Sequence, residues 1–501
     1  MEKEKKEKPV VIVYDDWMRY ELGADFWRIA FCLLTTKNIK HKLRLKSIKV
    51  NGIETIYSAK ISLTDVLPIN MVKGLFTEQI LRWDSLKSMG KKYNLSKSEI
   101  EEFFRLSELI IKGVENLEII EVYLFPNKFP LSITNRETYS VDFEIQDGIY
   151  FKTEVYVMSL PLYSGWAPAE LQCHSRNFSD GNLSLRNLRD IYKNKGYKIL
   201  YMTDHVNQIK NKGGWQEYRE SLISYSNEHI GLYPGMEMSV KKKGECDIIF
   251  SDLLAYGIKD LEGFENKKYN HQRGIDCINA NAPGISSCSI AHPYSYKIPW
   301  RDWGVIGYRG MELMSGIQFD FSDFSPPMVR WRQEIDRLLN FTFETGCFAS
   351  ARTGGDFHGY LDVNPPGYVT YIRCYDWSEK YLVDEALYKG YTVASRFGGL
   401  GFINIKYNGL EGGVGDIIKG VSTNEIIGLD ITFIPVKTGR YTITVYRDNK
   451  LETVFSISDS YTAGQTYKMK TNYKFPGGKH YYFLYISGED YVYSSPIFIS
   501  N

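Results

Sequence analysis

The chain has 501 residues, with 61 lysines and arginines against 60 aspartates and glutamates, so its formal net charge is only +1. That balance offers no electrostatic footing for a nucleic acid or an anionic membrane surface, and no window approaches the roughly 18 consecutive apolar residues of a transmembrane helix. The 43% hydrophobic and 24% charged fractions are those of an ordinary globular protein, and the length predicts two to four domains.

The seven cysteines (Cys32, Cys173, Cys246, Cys277, Cys288, Cys347 and Cys374) are odd in number, scattered and without a CxxC pair. This usage predicts reduced thiols and a cytoplasmic protein rather than a disulfide framework. The opening MEKEKKEKPVVIVYDDW lacks the long apolar stretch and small-residue cleavage site of a signal peptide. Its Lys/Glu run reads as a frayed, solvated end.

In chain order, residues 1–164 read as a β-rich domain. LRLKSIKV, TIYSAKISL, YSVDFEI and FKTEVYVMSL alternate with a period near two, as strands do. A helical insertion, about 77–116, interrupts them. There LSKSEIEEFFRLSELIIKGVEN offers Ser96 as a cap with Glu99 three residues on, a capping box, followed by apolar residues at helical spacing. Such an insertion covers a sheet or a neighbouring domain, or forms a lid over an active site.

Residues 165–398 alternate strand and helix. NLSLRNLRDIYKNKG reads as an amphipathic helix closed by Gly196, and PPMVRWRQEIDRLLNFTFETG as one opened by prolines and closed by Gly346. Residues 399–501 change character. DITFIPVKTGRYTITVYRDNKLETVFSISD and KHYYFLYISGEDYVYSSPIFIS alternate, are broken by Gly, Asp-Asn and Gly-Glu-Asp turns, and contain no helical stretch. An immunoglobulin-like β-sandwich without the antibody-type cysteine pair is the natural reading. The 38 tyrosines suit half-buried strands of this kind.

Chemistry concentrates in ELQCHSRNFSDGNLSLRNLRDIYKNKGYKILYMTDHVNQ, Glu170 to Gln208. His174 ends a short apolar run, and Asp180 follows six residues on. One helix later the run Ile199–Met202 leads into Thr203, Asp204 and His205. Loops that follow successive strands are where a parallel α/β barrel presents its reactive groups. Imidazoles and carboxylates delivered together suit borderline divalent metals. Of the eight histidines, His174 and His205 lie in such loops, whereas His41, His229, His271 and His480 read as surface or structural groups.

The order of these pieces resembles the PHP (polymerase and histidinol phosphatase) metallohydrolases. LQCHSRNFSDG matches their LHxHS…SDG opening at His174, Ser175, Ser179, Asp180 and Gly181, with Gln172 in place of the first histidine. Thr203-Asp204-His205 matches TDH. Gly235-Met236-Glu237 resembles the pGxE turn, and SDLLAYGI the HxLAYGI strand with Asp252 in place of a histidine. Ala291-His292-Pro293 matches AHP, GMELMSG resembles IEvxNG, and TGGDFHG resembles GSDxHG with Asp356 and His358 kept. RLLN and EALYKGYTVASR look most like the carbamate-hydrolase-type (CehA/McbA) branch. The likeness covers roughly residues 165–398.

The resemblance implies an α/β fold: a distorted (β/α)7 barrel flanked by the amino-terminal β-rich region and the carboxyl-terminal sandwich. It implies two to three divalent metal ions, Mn, Fe or Zn. One would take His174, Glu237 and Asp356, with Gln172 either a weak amide ligand or a hydrogen-bond donor behind the ligands. A second would take Glu237, Asp252 and His292, and a third Asp180, His205 and His358. Aspartate for histidine at 252 hardens the second set and favours Mn²⁺ or Fe over Zn²⁺. Catalysis would rest on Glu237, His292 and Asp356, with a metal-bound hydroxide as nucleophile. The implied activity is a metal-dependent hydrolase, foremost a phosphoesterase on a phosphorylated small molecule. Carbamate, ester or amide hydrolysis of the CehA type, and a degenerate scaffold that only binds a partner, stay open. Arg176, Arg273, Arg301 and Arg396 are the basic groups available to steer a phosphate, and Arg176 is best placed because it lies in the ligand loop.

Overall fold

The computed structural model describes residues 160–501 except 182, 195, 244–247, 296–297, 317–325 and 359–367, and the backbone of nine strands before them. The chain divides into two compact units, 1–133 with 137–158, and 134–136 with 159–501. Among the described residues the architecture is mixed α/β, with strands far outnumbering helices.

The first unit holds β1 (Val10–Val13), β2 (Trp17–Glu21), β3 (Phe26–Thr36), β4 (Leu45–Val50), β5 (Ile53–Glu54), β6 (Ile56–Ser62), β7 (Val114–Leu124), β8 (Thr138–Ile145) and β9 (Ile149–Val157). They form one sheet in the order β5-β4-β8-β9-β2-β3-β7-β6, with β1 added on β3. The expected helical insertion lies outside the described residues as far as 113. Its last three residues do not extend it: Val114–Asn116 open β7, which pairs antiparallel with β3. The physical reason is legible afterwards. Gly113 ends the helical spacing, and the Val, Ile, Ile and Val of VENLEIIEVYL prefer an extended chain.

The second unit begins with β10 (Trp166–Glu170), α1 (Leu185–Asn194), β11 (Ile199–Met202), α2 (Val206–Asn211), α3 (Gly214–Tyr225), β12 (Gly231–Pro234), β13 (Met236–Lys243) and β14 (Ile248–Tyr256). It continues with α4 (His271–Asn281), β15 (Ser287–Ile290), β16 (Gly310–Ser315), α5 (Pro326–Thr345), β17 (Ser350–Gly354), β18 (Val369–Arg373), α6 (Lys380–Tyr388) and β19 (Thr392–Ser395). The helices α1 and α5 stand where their amphipathic patterns place them. Each is followed by a left-handed glycine, Gly196 at φ 81° and Gly346 at φ 70°, whose N–H returns to the last turn.

The strand pairings in this region run in a circuit. β10 is parallel to β11, and β11 to β12. The chain passes through Gly235 into β13, which pairs antiparallel with β14, and β14 with β15. β15, β16 and β17 are parallel in turn. Just beyond β17, Phe357 bridges in parallel to Cys173, just beyond β10, and the circuit closes. β10, β11, β12, β15, β16 and β17 are buried along their whole length, polar members such as Glu170, Glu312 and Arg352 included. Leu171, Ile199, Tyr201, Leu254, Tyr256 and Ala291 share one core with helix residues Val383 and Leu387. Each fully buried aliphatic side chain of this kind contributes about 1.5–3 kcal/mol.

The remaining strands are β20 (Leu400–Tyr407), β21 (Leu410–Gly413), β22 (Ile417–Ile418), β23 (Ile426–Ile434), β24 (Gly439–Arg447), β25 (Lys450–Tyr461), β26 (Tyr467–Lys474), β27 (Lys479–Gly488), β28 (Val492–Ser494) and β29 (Ile497–Ser500). The sequence reading set a domain boundary at 398/399, but the sheet crosses it. β10 pairs with β18, β18 with β19, and β19 with β28, after which β27, β24 and β25 continue the same sheet. The second layer, β21-β20-β23-β26, is separate, and Phe433 on it meets Tyr441 of β24 at a ring distance of 5.0 Å. The reason for the crossing is edge pairing: β28 satisfies the N–H and C=O groups that β19 would otherwise expose. Buried Asp490 fastens the junction, accepting the N–H groups of Gly399 (2.7 Å) and Phe397 (2.9 Å) and the Ser395 hydroxyl (3.1 Å).

No helix among the described residues is long and apolar enough to cross a membrane.

Candidate metal centre

The loops that follow β10, β11, β15 and β17, together with β13 and β14, carry every histidine and carboxylate singled out as a ligand. The loop after β10 is held from β11. Asp204 accepts both the N–H and the hydroxyl of Ser175, at 2.6 and 2.8 Å, and Thr203 accepts the Cys173 N–H at 3.1 Å. The Ser179 hydroxyl accepts the His205 N–H at 3.1 Å and donates to Asp180 at 2.9 Å. Lys212 braces the same turn through the Ser179 carbonyl, at 2.7 Å. Gly181 is needed here, because a Cβ at that position would sit 2.1 Å from the His174 carbonyl oxygen. Sequence reasoning matched Asp204 without a role and missed Lys212. Both act on the shape of the loop.

The structure brings the eight residues into three groups: His174, Asp180, His205 and His358; His174, Glu237 and Asp356; and Glu237, Asp252 and His292. Within each group one ligand atom per residue lies within 4.8 Å of the others. His174 Nε2 is 3.1 Å from Glu237 Oε2 and 3.2 Å from Asp356 Oδ1. His292 Nε2 is 3.4 Å from Glu237 Oε1 and 3.8 Å from Asp252 Oδ2. His205 Nδ1 stands 3.5 Å from Glu237 Oε2, while its Nε2 is 3.4 Å from Asp180 Oδ2. His358 Nε2 is 3.6 Å from Asp180 Oδ1. Gln172 donates from Nε2 to Glu237 Oε1 at 3.3 Å.

Burial and crowding set the charges. For Glu237, burial works against ionisation, but His205, His174 and His292 hold it well below the ordinary carboxylate range. Burial disfavours the imidazolium of His174, yet Asp356 and Glu237 raise it well above its usual value. The same opposition leaves His292 at about 10, where Glu237 and Asp356 outweigh burial. Asp252 is pushed up to about 6 by burial and then by the Glu237 charge. Asp180 is held low by His205 and His174 against its own partial burial.

These residues fit divalent cations. Both ring nitrogens of His174, Nδ1 of His205, Nδ1 of His292 and Oε1 of Gln172 are buried and make no hydrogen bond of acceptable geometry. Nitrogen and carboxylate oxygen donors in mixed sets are those that Zn, Mn and Fe accept. A bound cation would take over the charge balance that protons on the imidazoles otherwise supply.

Two further carboxylates lie beneath the groups, and the sequence reading overlooked them. Glu170 is buried and accepts the N–H groups of Gln172 (2.9 Å) and Gly355 (2.8 Å); burial outweighs both and lifts its pKa to about 7. Glu312 is buried and accepts the His292 N–H at 2.7 Å; burial lifts it to about 8. The available signal was the single charged residue in each of two short strands, the last of WAPAE and the third of GMELMS. Of the arginines, Arg176 is on the exposed side of the ligand loop, Arg273 is exposed in the first turn of α4, and Arg301 is exposed. Arg396 lies over the Phe397 ring at 5.0 Å.

No protein-family model matches the chain, and no curated protein does. Among solved structures it is similar to a CARDB domain from Pyrococcus furiosus, at 10% identity and a TM-score of 0.15, over 20% of this chain and 95% of that one. It is similar to an FMN-binding β-glucuronidase from Facaelibacterium prausnitzii L2-6 at 9% identity and 0.17, over 97% and 93% of the two chains. A glycosyl hydrolase family 2 member from Bacteroides cellulosilyticus gives 9% and 0.17, over 98% and 79%. Likenesses this weak support neither a shared fold nor a shared activity.

Proposed function

We propose that the chain is a metal-dependent hydrolase of the PHP type, foremost a phosphoesterase acting on a phosphorylated small molecule. In this reading the closed circuit of strands is the family's distorted (β/α)7 barrel. The observation that carries the proposal is the position of Glu237. One of its carboxylate oxygens faces His174 and His205, the other faces His292, so a single buried side chain belongs to two ligand groups. Divalent cations held there would bring the pKa of a bound water to about 7 and place positive charge against the charge that develops in the reaction.

The chain's own groups do the rest. Glu237 sets the spacing of the two inner groups, and Gln172 restrains the Glu237 carboxylate through its amide. His292 and Asp252 complete one inner group, His174 and Asp356 the other. Burial around them keeps competing water away and strengthens every charge interaction. Asp180, His205 and His358 are more exposed and form the face a substrate reaches first. A clamp of more than one cation suits phosphoryl transfer best, although a carbamate, ester or amide carbonyl uses the same parts. Among the described residues Cys173, Cys277, Cys288, Cys347 and Cys374 are in no disulfide, which is in keeping with a reducing, cytoplasmic setting.

Elemental analysis of protein reconstituted with Mn²⁺, Fe²⁺ or Zn²⁺ tests the premise, with at least two equivalents per chain expected. Turnover of p-nitrophenyl phosphate, bis-p-nitrophenyl phosphate and a naphthyl carbamate then separates the substrate classes. Less than half an equivalent of metal in total overturns the proposal. Bound metal with no turnover of any of the three points to a scaffold.

A further inference from the structure

We propose that Glu170 and Glu312 are positioning residues: each grips, through a backbone N–H, a turn that carries metal ligands in left-handed backbone. The inference rests on the reading that the three groups bind cations. Two non-glycine ligands have positive φ, His292 at 24° and Asp356 at 49°. L-residues adopt this region only when the surroundings enforce it.

Two buried carboxylates enforce it. Glu312, on β16, takes the N–H of His292 itself on Oε2 at 2.7 Å. Glu170, at the end of β10, takes the N–H of Gly355, the residue before Asp356, at 2.8 Å on Oε1. The same oxygen takes the Gln172 N–H at 2.9 Å, and Oε2 takes the Tyr192 hydroxyl at 3.2 Å. Glu170 thereby ties the loop of His174 to the turn of Asp356, whose ligand atoms are 3.2 Å apart. The pair also explains the two adjacent glycines. A Cβ on Gly354 would lie 1.9 Å from Glu312 Oε1, and one on Gly355 would lie 2.8 Å from Glu170 Oε2. Both carboxyls are fully enclosed, so water does not compete for the N–H groups. Partners that orient metal ligands from behind typically change affinity by about 10–100-fold when removed.

The test uses the full chain and two readouts. Amide hydrogen exchange is followed in metal-free protein, and Mn²⁺ and Zn²⁺ affinity and stoichiometry are measured by titration. Glu312→Ala is expected to raise exchange selectively at His292 and to weaken one equivalent of metal by about tenfold or more. Glu170→Ala is expected to act instead at Gln172 and Gly355 and to weaken a different equivalent. Glu312→Gln keeps an acceptor oxygen and restores both readouts. If Glu312→Ala does not fold, Glu312→Asp, one methylene short of the His292 N–H, takes its place. Exchange that rises uniformly across the second unit, or stays unchanged at His292 and Gly355, overturns the inference. Wild-type protein that binds no metal overturns the functional reading instead, and the exchange experiment still decides this one.

Discussion

The two inner ligand groups and the outer one use the same donors in different surroundings. The side chains of His174, Glu237, Asp252 and His292 are between 0% and 3% exposed, whereas Asp180 is 47%, His205 23% and His358 28% exposed. Inside, charges attract at a lower effective dielectric, and removing one leaves its partners stranded. Outside, water screens the same pairings and competes for the same donors. The difference teaches that one polar cluster can hold the same donor types in two settings, a dry pair of groups and a wetter one, and on the proposed reading the dry pair would keep cations in place while the wetter group exchanges ligands.

The comparison is sharpest at Glu237. If the inner groups form one unit, Glu237→Ala should lower turnover by about a thousandfold, or about 4 kcal/mol, more than His292→Ala or His358→Ala. Steady-state rates on the responsive substrate check this. Equal losses for all three variants would break the distinction between bridging and single-group ligands.

A second experiment asks whether burial or imidazole neighbours set the inner charges. Asp490 is just as buried as Glu237 but accepts from Gly399, Phe397, Tyr491 and Ser395, and burial pushes it up to about 6 from a usual 3.8. A raised folded-state pKa gives stability that is complete below the unfolded value of 3.8 and is lost as pH rises through about 6. The stability difference between wild type and Asp490→Asn should therefore fall by about 2 kcal/mol from pH 4 to pH 7. Denaturant unfolding across that range measures it. A flat difference would mean the N–H donors offset burial at Asp490, and burial alone would no longer separate the two carboxylates.

The inner and outer groups should also differ in exchange. On addition of a chelator to loaded protein, one equivalent of metal should leave at least about tenfold faster than the rest, and Asp180→Asn should abolish that fast phase. A single rate for all the metal would erase the division. The smallest expected effect is at Gln172. Gln172→His replaces an amide by a better borderline ligand and should tighten Mn²⁺ binding at the group of His174, Glu237 and Asp356 by about tenfold. Unchanged affinity would show that this group is already complete without position 172.

Sequence and structure contributed differently, and the reason is the range of the interactions. The helices α1 and α5 were legible because amphipathic spacing and terminal glycines act over a few residues. The ligands were legible in part for a related reason: a strand end aims its next residues at one rim, so the strand-then-loop order points to His174, Asp180 and His205, while Glu237, Asp252, His292, Asp356 and His358 were reached only through the family resemblance. Glu170 and Glu312 were not, because a buried glutamate becomes meaningful only when its N–H partners, His292 and Gly355, arrive from other strands. Nor was the continuous sheet across 398/399. Alternation identifies β19 and β28 as strands but says nothing of which strand pairs with which, and that pairing joins residues about a hundred apart. By itself the sequence picked out the histidines and carboxylates that the fold gathers and where α1 and α5 stop. The tertiary structure decided which carboxylate is shared, which ligands are dry and which backbone is held at positive φ, since each depends on groups that only folding brings together.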